Sequence, residues 1–536
     1  MHAATRTELR DPAPRASVPW WRTATALACV LGAIRVAVVA LAPYQQAVGL
    51  FDDDAFYYFG VARHIAEGAG STFNGIDPTN GYHPLWLLTL VPVFSLADSH
   101  TALVAVTLVS FAVLIGAARQ IDRIGALTAR PVLTLAWATP LLVTGTAGPS
   151  FFFSGMETGL LLLGLLWLAA TWLASDGFTA PWFGLSSALT TGTLMALTVL
   201  ARLDAVFPMA LLGLLALLSW RRKRLPWVRR GLALAAVPAA ALAVYLLVNL
   251  ALFDTALPVS GQAKAIGGGL NPGVVGQFLI SPVVFGVPTL LGVGALVVVT
   301  AALLRAQPGR LGLGAQFGGV VLAGGVATVG YYALTSSWQL WPWYFSAAPL
   351  AIALAGPALA AGRTERLPLR GLTTLVLAVL TVAAAGLTAA RAARGGVERS
   401  AFIELGPVVA RQIDALAPLG APIAMGDRAG SVGYHLDRPL VHLEGLVNSA
   451  DYLRALRTGT APDFLAARGV ALYARGDAAE GTPLPSRPGC RQFTEPQQGA
   501  GTKFPVVVCD RDLVLTTPVG DGTSYRVWLY RPALPG

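Results

Sequence analysis

Three consecutive carboxylates, Asp52, Asp53 and Asp54, open the segment FDDDAFYYFGVARHIAEGAGSTFNGIDPTNGYHPLW at 51–86. They follow closely on the first long apolar run, where charge beside apolar surface is costly unless it is used. A carboxylate at a half-desolvated surface has its pKa raised and suits general-base work, the removal of a proton from an attacking hydroxyl. The same residues also suit the start of a helix over 55–67, so residue type alone leaves both roles open. Glu157, in FFFSGMET at 151–158, is the second acidic candidate. It is either a partner of the first cluster or a helix-start glutamate facing the dipole.

Group transfer from an anionic leaving group also needs positive charge held in a dry site. Few cations lie between the apolar runs on the side of the acidic cluster. Arg202 in ARLD (201–204), Lys264 in PVSGQAK (258–264) and His83 in TNGYHP (79–84) are therefore the candidates. Their bland alternatives are a snorkelling side chain or a local pair of Arg202 with Asp204. Arg35 sits inside the first apolar run, and an intramembrane charge is a functional candidate by default. Tyr344, in SSWQLWPWY at 336–344, belongs to an aromatic segment that also fits an interfacial belt.

The elements that must carry these residues are apolar. Of 536 residues, 55% are hydrophobic and only 12% charged, which excludes a soluble globular chain of this length. The net charge of +10 does not indicate nucleic acid, because the Arg residues sit in short clusters between apolar runs rather than on one face. The balance of 35 Arg to 3 Lys, with 58 Gly, suggests a bacterial source rich in GC. Of the three cysteines, Cys29 falls inside an apolar run, and only Cys490 and Cys509 are placed to pair.

Runs of spanning length occur near 23–43, 103–118, 132–146, 159–174, 183–200, 206–219, 231–252, 283–304, 313–335, 345–361 and 371–390, about eleven in all. With residues 1–22 in the cytoplasm, the cytoplasmic segments hold eighteen Lys and Arg and the outer loops before the tail only Arg63, Arg202 and Lys264. That asymmetry follows the positive-inside rule. The apolar stretch 84–96 is too short to span and reads as interfacial or re-entrant. The chain thus divides into a cytoplasmic segment (1–22), a transmembrane domain (23–390) with a large first outer loop (44–97), and an extracytoplasmic tail (391–536). In the tail, an amphipathic helix over 401–416, strands near 422–425, 439–443 and 470–473 and a helix over 450–457 predict a small α/β domain.

The run DDAFYYF (53–59), then ARHIA (62–66), a Gly-rich turn and PTNGYHPLW (78–86) resemble the bacterial GT-C glycosyltransferases, relatives of protein mannosyltransferases, lipid A aminoarabinose transferases and actinobacterial arabinofuranosyltransferases. The resemblance covers the whole chain in architecture, while its specific motifs cover about the first ninety residues and scattered later sites. It implies that the acidic pair abutting Ala-Phe supplies catalysis, which maps to Asp53 as base and Asp54 as its partner. It further implies a polyprenyl-phosphate sugar donor, an envelope glycan, lipid or protein as acceptor, and inverting chemistry on the outer face of the bacterial inner membrane. Related enzymes place an acidic residue where Glu157 stands, and PVSGxxK resembles their sequences at Lys264. This chemistry requires no cofactor, although the carboxylates are suited to a divalent metal. The rival from another class is a transporter or flippase of lipid-linked sugars. Such folds often show two related halves with broken helices, and the hydropathy here shows none.

The odd number of spans predicts that a reporter fused after residue 536 behaves as external. A cytoplasmic signal from that fusion would contradict the eleven-span topology.

Overall fold

The computed structural model describes residues 23–144, 151–271, 282–305, 307–361, 396–499, 501–520 and 522–531. The N-terminal segment 1–22, expected to be cytoplasmic, and the eleventh expected run, 371–390, lie outside the described residues.

Helix α1 (Ala24–Leu41) carries the first apolar run. Its start is capped twice, by the Thr23 hydroxyl, which accepts the N–H of Ala26, and by Asp122, whose carboxylate accepts the N–H groups of Ala24 at 2.8 Å and Thr25 at 3.0 Å. Those bonds satisfy donors that a helix start would otherwise leave bare in an apolar setting. Asp122 belongs to α5 (Ser99–Leu127), so the first two long helices are tied together. Between them run the short α2 (Tyr44–Val48), α3 (Asp53–Ala66) and α4 (Pro84–Leu96). The bundle continues through α6 (Pro131–Thr144), α7 (Thr158–Ala174), α8 (Leu185–Ala201), α9 (Val206–Arg222), α10 (Trp227–Phe253), the short α11 (Val259–Ala265), α12 (Pro282–Leu304), α13 (Gly309–Thr335) and α14 (Ala347–Ala361).

Among the described residues, six helical stretches are long and apolar enough to cross a membrane: 24–41, 99–127, 203–222, 227–253, 309–335 and 342–361. The expected run 283–304 is carried by α12, and the runs 132–146, 159–174 and 183–200 are also helical, but shorter. Two of them have a local reason: α7 begins directly after Glu157 and α8 ends directly before Arg202. Both helices stop at charged residues that face one cleft, so they sacrifice length at one end.

The tail folds around a five-stranded sheet in the order β2-β1-β3-β8-β7. Strands β1 (Ile423–Met425), β2 (Leu440–His442) and β3 (Leu472–Asp477) are parallel, and β8 (Thr523–Leu529) and β7 (Leu513–Gly520) join antiparallel. Helices α15 (Gly396–Asp414), α16 (Ala429–His435), α17 (Ala450–Thr458) and α18 (Ala461–Ala467) accompany it. A second, antiparallel sheet holds β4 (Thr482–Pro483), β5 (Cys490–Glu495) and β6 (Phe504–Cys509), with Cys490 opposite Cys509 in a disulfide.

This tail does not stand apart from the bundle. Phe56, Phe59 and Phe73 of the first loop share one apolar core with Met425, Val432 and Tyr434 of the tail. Polar contacts pin the same face: Tyr44 Oη to His435 Nε2 at 2.6 Å, Tyr57 Oη to His442 Nε2 at 3.0 Å, and Arg468 Nη2 to the buried Asp77 at 2.5 Å. The first loop and the tail therefore lie on the same side of the helix bundle. The whole of 55–62 is buried, because α3 is sandwiched between the two units.

Two tail carboxyls depart from their ordinary range. Burial, with Asp427 and Glu495 adding to it, pushes Glu444 up to about 8, and burial pushes Glu495 up to about 7 despite Arg475. The folded state then binds protons more tightly than the unfolded chain. The stability this confers is fully present below the usual carboxylate range and is lost as pH rises through about 7 and 8. Thermal unfolding of the tail in the full chain, followed by limited proteolysis, should shift to lower temperature between about pH 5.5 and pH 8.5. Glu444→Gln should flatten that dependence, and an unchanged slope in the variant would contradict the assignment.

Candidate active site

Residues at i, i+3 and i+4 share one helix face, and on α3 these are Asp54, Tyr57 and Tyr58. All three line a cleft with Tyr82, His83, Glu157, Arg202, Lys264 and Tyr344. Of the eight residues selected from the sequence, the cleft brings together Asp54, His83, Glu157, Arg202, Lys264 and Tyr344. It does not bring in Asp53 or Arg35.

The reason is geometric for Asp53. Consecutive helix residues point about 100° apart, so two adjacent aspartates in one turn cannot face the same cleft. The Asp53 carboxylate instead accepts the backbone N–H groups of Gly430 and Ser431, both at 2.8 Å. Asp52, at the N-cap position, is buried, and its N–H donates to Ser154 O at 3.0 Å. Arg35 donates to the carbonyls of Leu50 and Phe153, stitching α1 to two neighbouring segments.

Within the cleft one buried ion network dominates. Arg202 is 3% exposed, and its Nε donates to both Asp204 oxygens at 3.0 and 3.1 Å. Its Nη1 lies 3.5 Å from Glu157 Oε1, and its guanidinium stacks over the Tyr344 ring at 4.6 Å. Burial works against the charge of Arg202, but Asp204 and Glu157 more than offset it and hold its pKa raised. For Glu157 the balance is similar: burial pushes the carboxyl up, and the Arg202 guanidinium, with the His83 ring N–H and the Tyr58 hydroxyl beside it, brings it below its ordinary value. Glu157 is thus ionised and neutralised, with Tyr58 Oη donating to its Oε2 at 2.9 Å.

His83 is held neutral. Burial lowers its pKa, and its Nδ1 accepts the N–H of Leu203 at 3.2 Å, which places the ring proton on Nε2. That Nε2 faces Glu157 Oε1 at 3.7 Å. Lys264 comes from α11, and its Nζ donates to Tyr344 Oη at 3.0 Å. The position of α11 is set by Asn80, whose Oδ1 accepts the N–H of Val259 at 2.9 Å. The TNGYHP and PVSGQAK segments are therefore parts of one structure.

Each charge sits at the helix end that suits it. Asp54 lies in the first turn of α3 and Glu157 at the start of α7, while Arg202 caps the C-terminal end of α8 and Lys264 lies in the last turn of α11. Macrodipoles favour anions at N-termini and cations at C-termini, which lowers the cost of holding these groups out of water. The Nη1 of Arg202 makes no hydrogen bond, so one buried donor at the cleft is unspent. Among the described residues, no group of three or more His, Cys, Asp and Glu gathers as for a metal ion.

Tyr58 and Ser260, which were not singled out from the sequence, also line the cleft, together with Leu446 and Val447. Helical spacing points to the first two, since Tyr58 is i+4 from Asp54 and Ser260 is i−4 from Lys264. Leu446 and Val447 come from the loop after β2, and only the docking of the tail brings them here.

No protein-family model matches the sequence, and no curated protein matches it either. Among solved structures, the chain is similar to ArnT from Cupriavidus metallidurans in the apo state, at 15% identity and a TM-score of 0.47 over 84% of this chain and 93% of that one. It is similar to the archaeal oligosaccharyltransferase AglB from Archaeoglobus fulgidus, in complex with an inhibitory peptide and a dolichol-phosphate, at 11% identity and a TM-score of 0.43 over 85% and 70%. The arabinosyltransferase EmbB from Mycobacterium smegmatis is similar at 15% identity and a TM-score of 0.41 over 90% and 47%.

The network predicts that Glu157→Gln, which keeps shape and removes charge, lowers thermal stability by about 1.5 to 3 kcal/mol, the scale of a hydrogen bond to a charged group. Thermal unfolding in detergent checks this. A variant as stable as the parent would mean that Asp204 alone compensates Arg202.

Proposed function

We propose that this protein is a membrane glycosyltransferase that moves a sugar from a polyprenyl-phosphate donor to a hydroxyl of an envelope glycan, lipid or protein. We place the reaction on the extracytoplasmic face of the bacterial inner membrane. The observation that carries this reading is the cleft itself, in which Asp54 shares a small space with two cations, Arg202 and Lys264.

In this scheme Asp54 is the base, and the order within the acidic pair is the reverse of the sequence expectation. Asp54 takes the acceptor's hydroxyl proton as the oxygen attacks the anomeric carbon. The bond from that carbon to the phosphate oxygen breaks on the opposite side, which inverts the configuration and releases a polyprenyl phosphate. Arg202 through its unspent Nη1, Lys264 through Nζ and neutral His83 through its Nε2 proton supply donors to the phosphate as its charge grows. Glu157 acts by holding Arg202 and His83 rather than by exchanging a proton, because it is already ionised and paired. Tyr344 supports both cations, one by stacking and one by hydrogen bonding. No metal enters the scheme.

Proteoliposomes given a panel of radiolabelled decaprenyl- and undecaprenyl-phosphate sugars test this reading. The parent should release polyprenyl phosphate and label an acceptor. Translocation of the lipid-linked sugar without transfer would favour a flippase instead. Asp54→Asn should reduce transfer by about a hundred- to ten-thousand-fold while leaving lipid-phosphate binding intact. Lys264→Ala should cost about 2 to 4 kcal/mol in the transition state, read from kcat/KM for the donor. Parent-level turnover in the Lys264 variant would make that residue an interfacial anchor only.

A further inference from the structure

The Asp53 carboxylate links the first turn of α3 directly to the backbone of the tail's α16. Both of its oxygens are engaged, with Gly430 N–H on Oδ2 and Ser431 N–H on Oδ1 at 2.8 Å each. The approach is as close as backbones allow. A Cβ built on Gly430 would stand 2.1 Å from the Asp53 carbonyl oxygen, so no larger residue fits without separating the two units. A second close approach between the first loop and the tail lies at the cleft itself. A Cβ on Gly81 would stand 1.8 Å from the carbonyl oxygen of Leu446, in the tail loop that lines the cleft.

We propose that Asp53 is a positioning residue, which locks the tail onto α3 and thereby fixes the Asp54 carboxylate and the Leu446–Val447 wall relative to the cations. This rests on the reading of Asp54 as the base. The physical argument is leverage. Asp54 is the next residue in the same helical turn, so any release of the tail from Asp53 frees the turn that aims Asp54. Arg202 is held without the tail, by Asp204, Glu157 and Tyr344, and Lys264 is held by Tyr344 and by α11, which bonds to Asn80 and packs on the tail beside Gly445, away from the Asp53 contact. Losing the clamp should therefore damage chemistry and spare phosphate binding. A purely structural role would damage both together.

The test uses the full chain in lipid nanodiscs, as Asp53→Ala and as Gly430→Ala, the second leaving the aspartate in place and pushing its backbone away. Three quantities are read: hydrogen exchange of 429–435, kcat with a sugar donor the parent uses, and Kd for undecaprenyl phosphate. Both variants should exchange at least about tenfold faster over 429–435. Their kcat should fall by about a hundredfold, the cost of a misplacement on the order of 1 Å, while Kd changes by less than about twofold. Unchanged exchange would overturn the clamp, as would parent-level kcat with faster exchange, or equal losses in kcat and affinity. Asp54→Asn run in parallel separates the two claims. If it is inactive and Asp53→Ala is fully active, only the clamp falls. If Asp54→Asn keeps the parent kcat, the reading of the site itself falls.

Discussion

A guanidinium buried to the extent of Arg202 costs several kcal/mol unless charge and hydrogen bonds replace the water it has lost. Everything around the cleft is arranged to meet that demand. Asp204 grips Nε, Glu157 sits beside Nη1, the Tyr344 ring covers one face, and the C-terminal end of α8 contributes its dipole. Meeting the demand has consequences for the fold. Glu157 must stand at the start of α7 and Arg202 at the end of α8, so both helices stop at the cleft. His83 must be held neutral between Leu203 and Glu157, so the loop before α4 is drawn onto the same point. A charge that stays in such a site with one donor unspent is ready to receive an anion without reorganising, the condition under which electrostatic stabilisation is strongest.

The tail contributes through close approach more than through charge. Gly81 and Gly430 let backbone meet backbone at two places, the first of them at the cleft, where Leu446 and Val447 complete the lining. The apolar core shared between the first loop and the tail supplies adhesion, while the Tyr57–His442 and Asp77–Arg468 contacts set the register. The tail thus forms part of the cleft.

Much of this was legible in the sequence, for identifiable reasons. Scarcity of cations in the outer loops singled out Arg202, Lys264 and His83, because each such charge is expensive near lipid and is seldom idle. The strand and helix periodicities of 401–473 were readable because the tail's core faces are buried in a regular pattern: helix α15, strands β1 to β3 and helix α17 lie at or within a few residues of the expected runs. The order within the acidic pair was not legible. Which of two adjacent aspartates faces the cleft depends on the rotation of α3, and that rotation is set by the tail some 370 residues away in sequence. Arg35 reads from sequence like any other intramembrane charge, and only the carbonyls of Leu50 and Phe153 reveal its structural use. Among the later strands, β4 is only two residues long and β7 is largely exposed, whereas β6 and β8 bury alternating residues that the expected runs did not include. The loop holding Leu446 and Val447 is marked only by its turn residues and its place after the second strand.

The central claim is that the cations of the cleft, Arg202 and Lys264, receive a lipid phosphate. A structure of the full chain with undecaprenyl phosphate bound measures this directly. The account predicts the phosphate within about 3 Å of Arg202 Nη1 and Lys264 Nζ, a charge-assisted hydrogen-bonding distance, with Asp54 facing the open side of the cleft. A phosphate bound elsewhere on the bundle, away from Arg202 Nη1 and Lys264 Nζ, would contradict it.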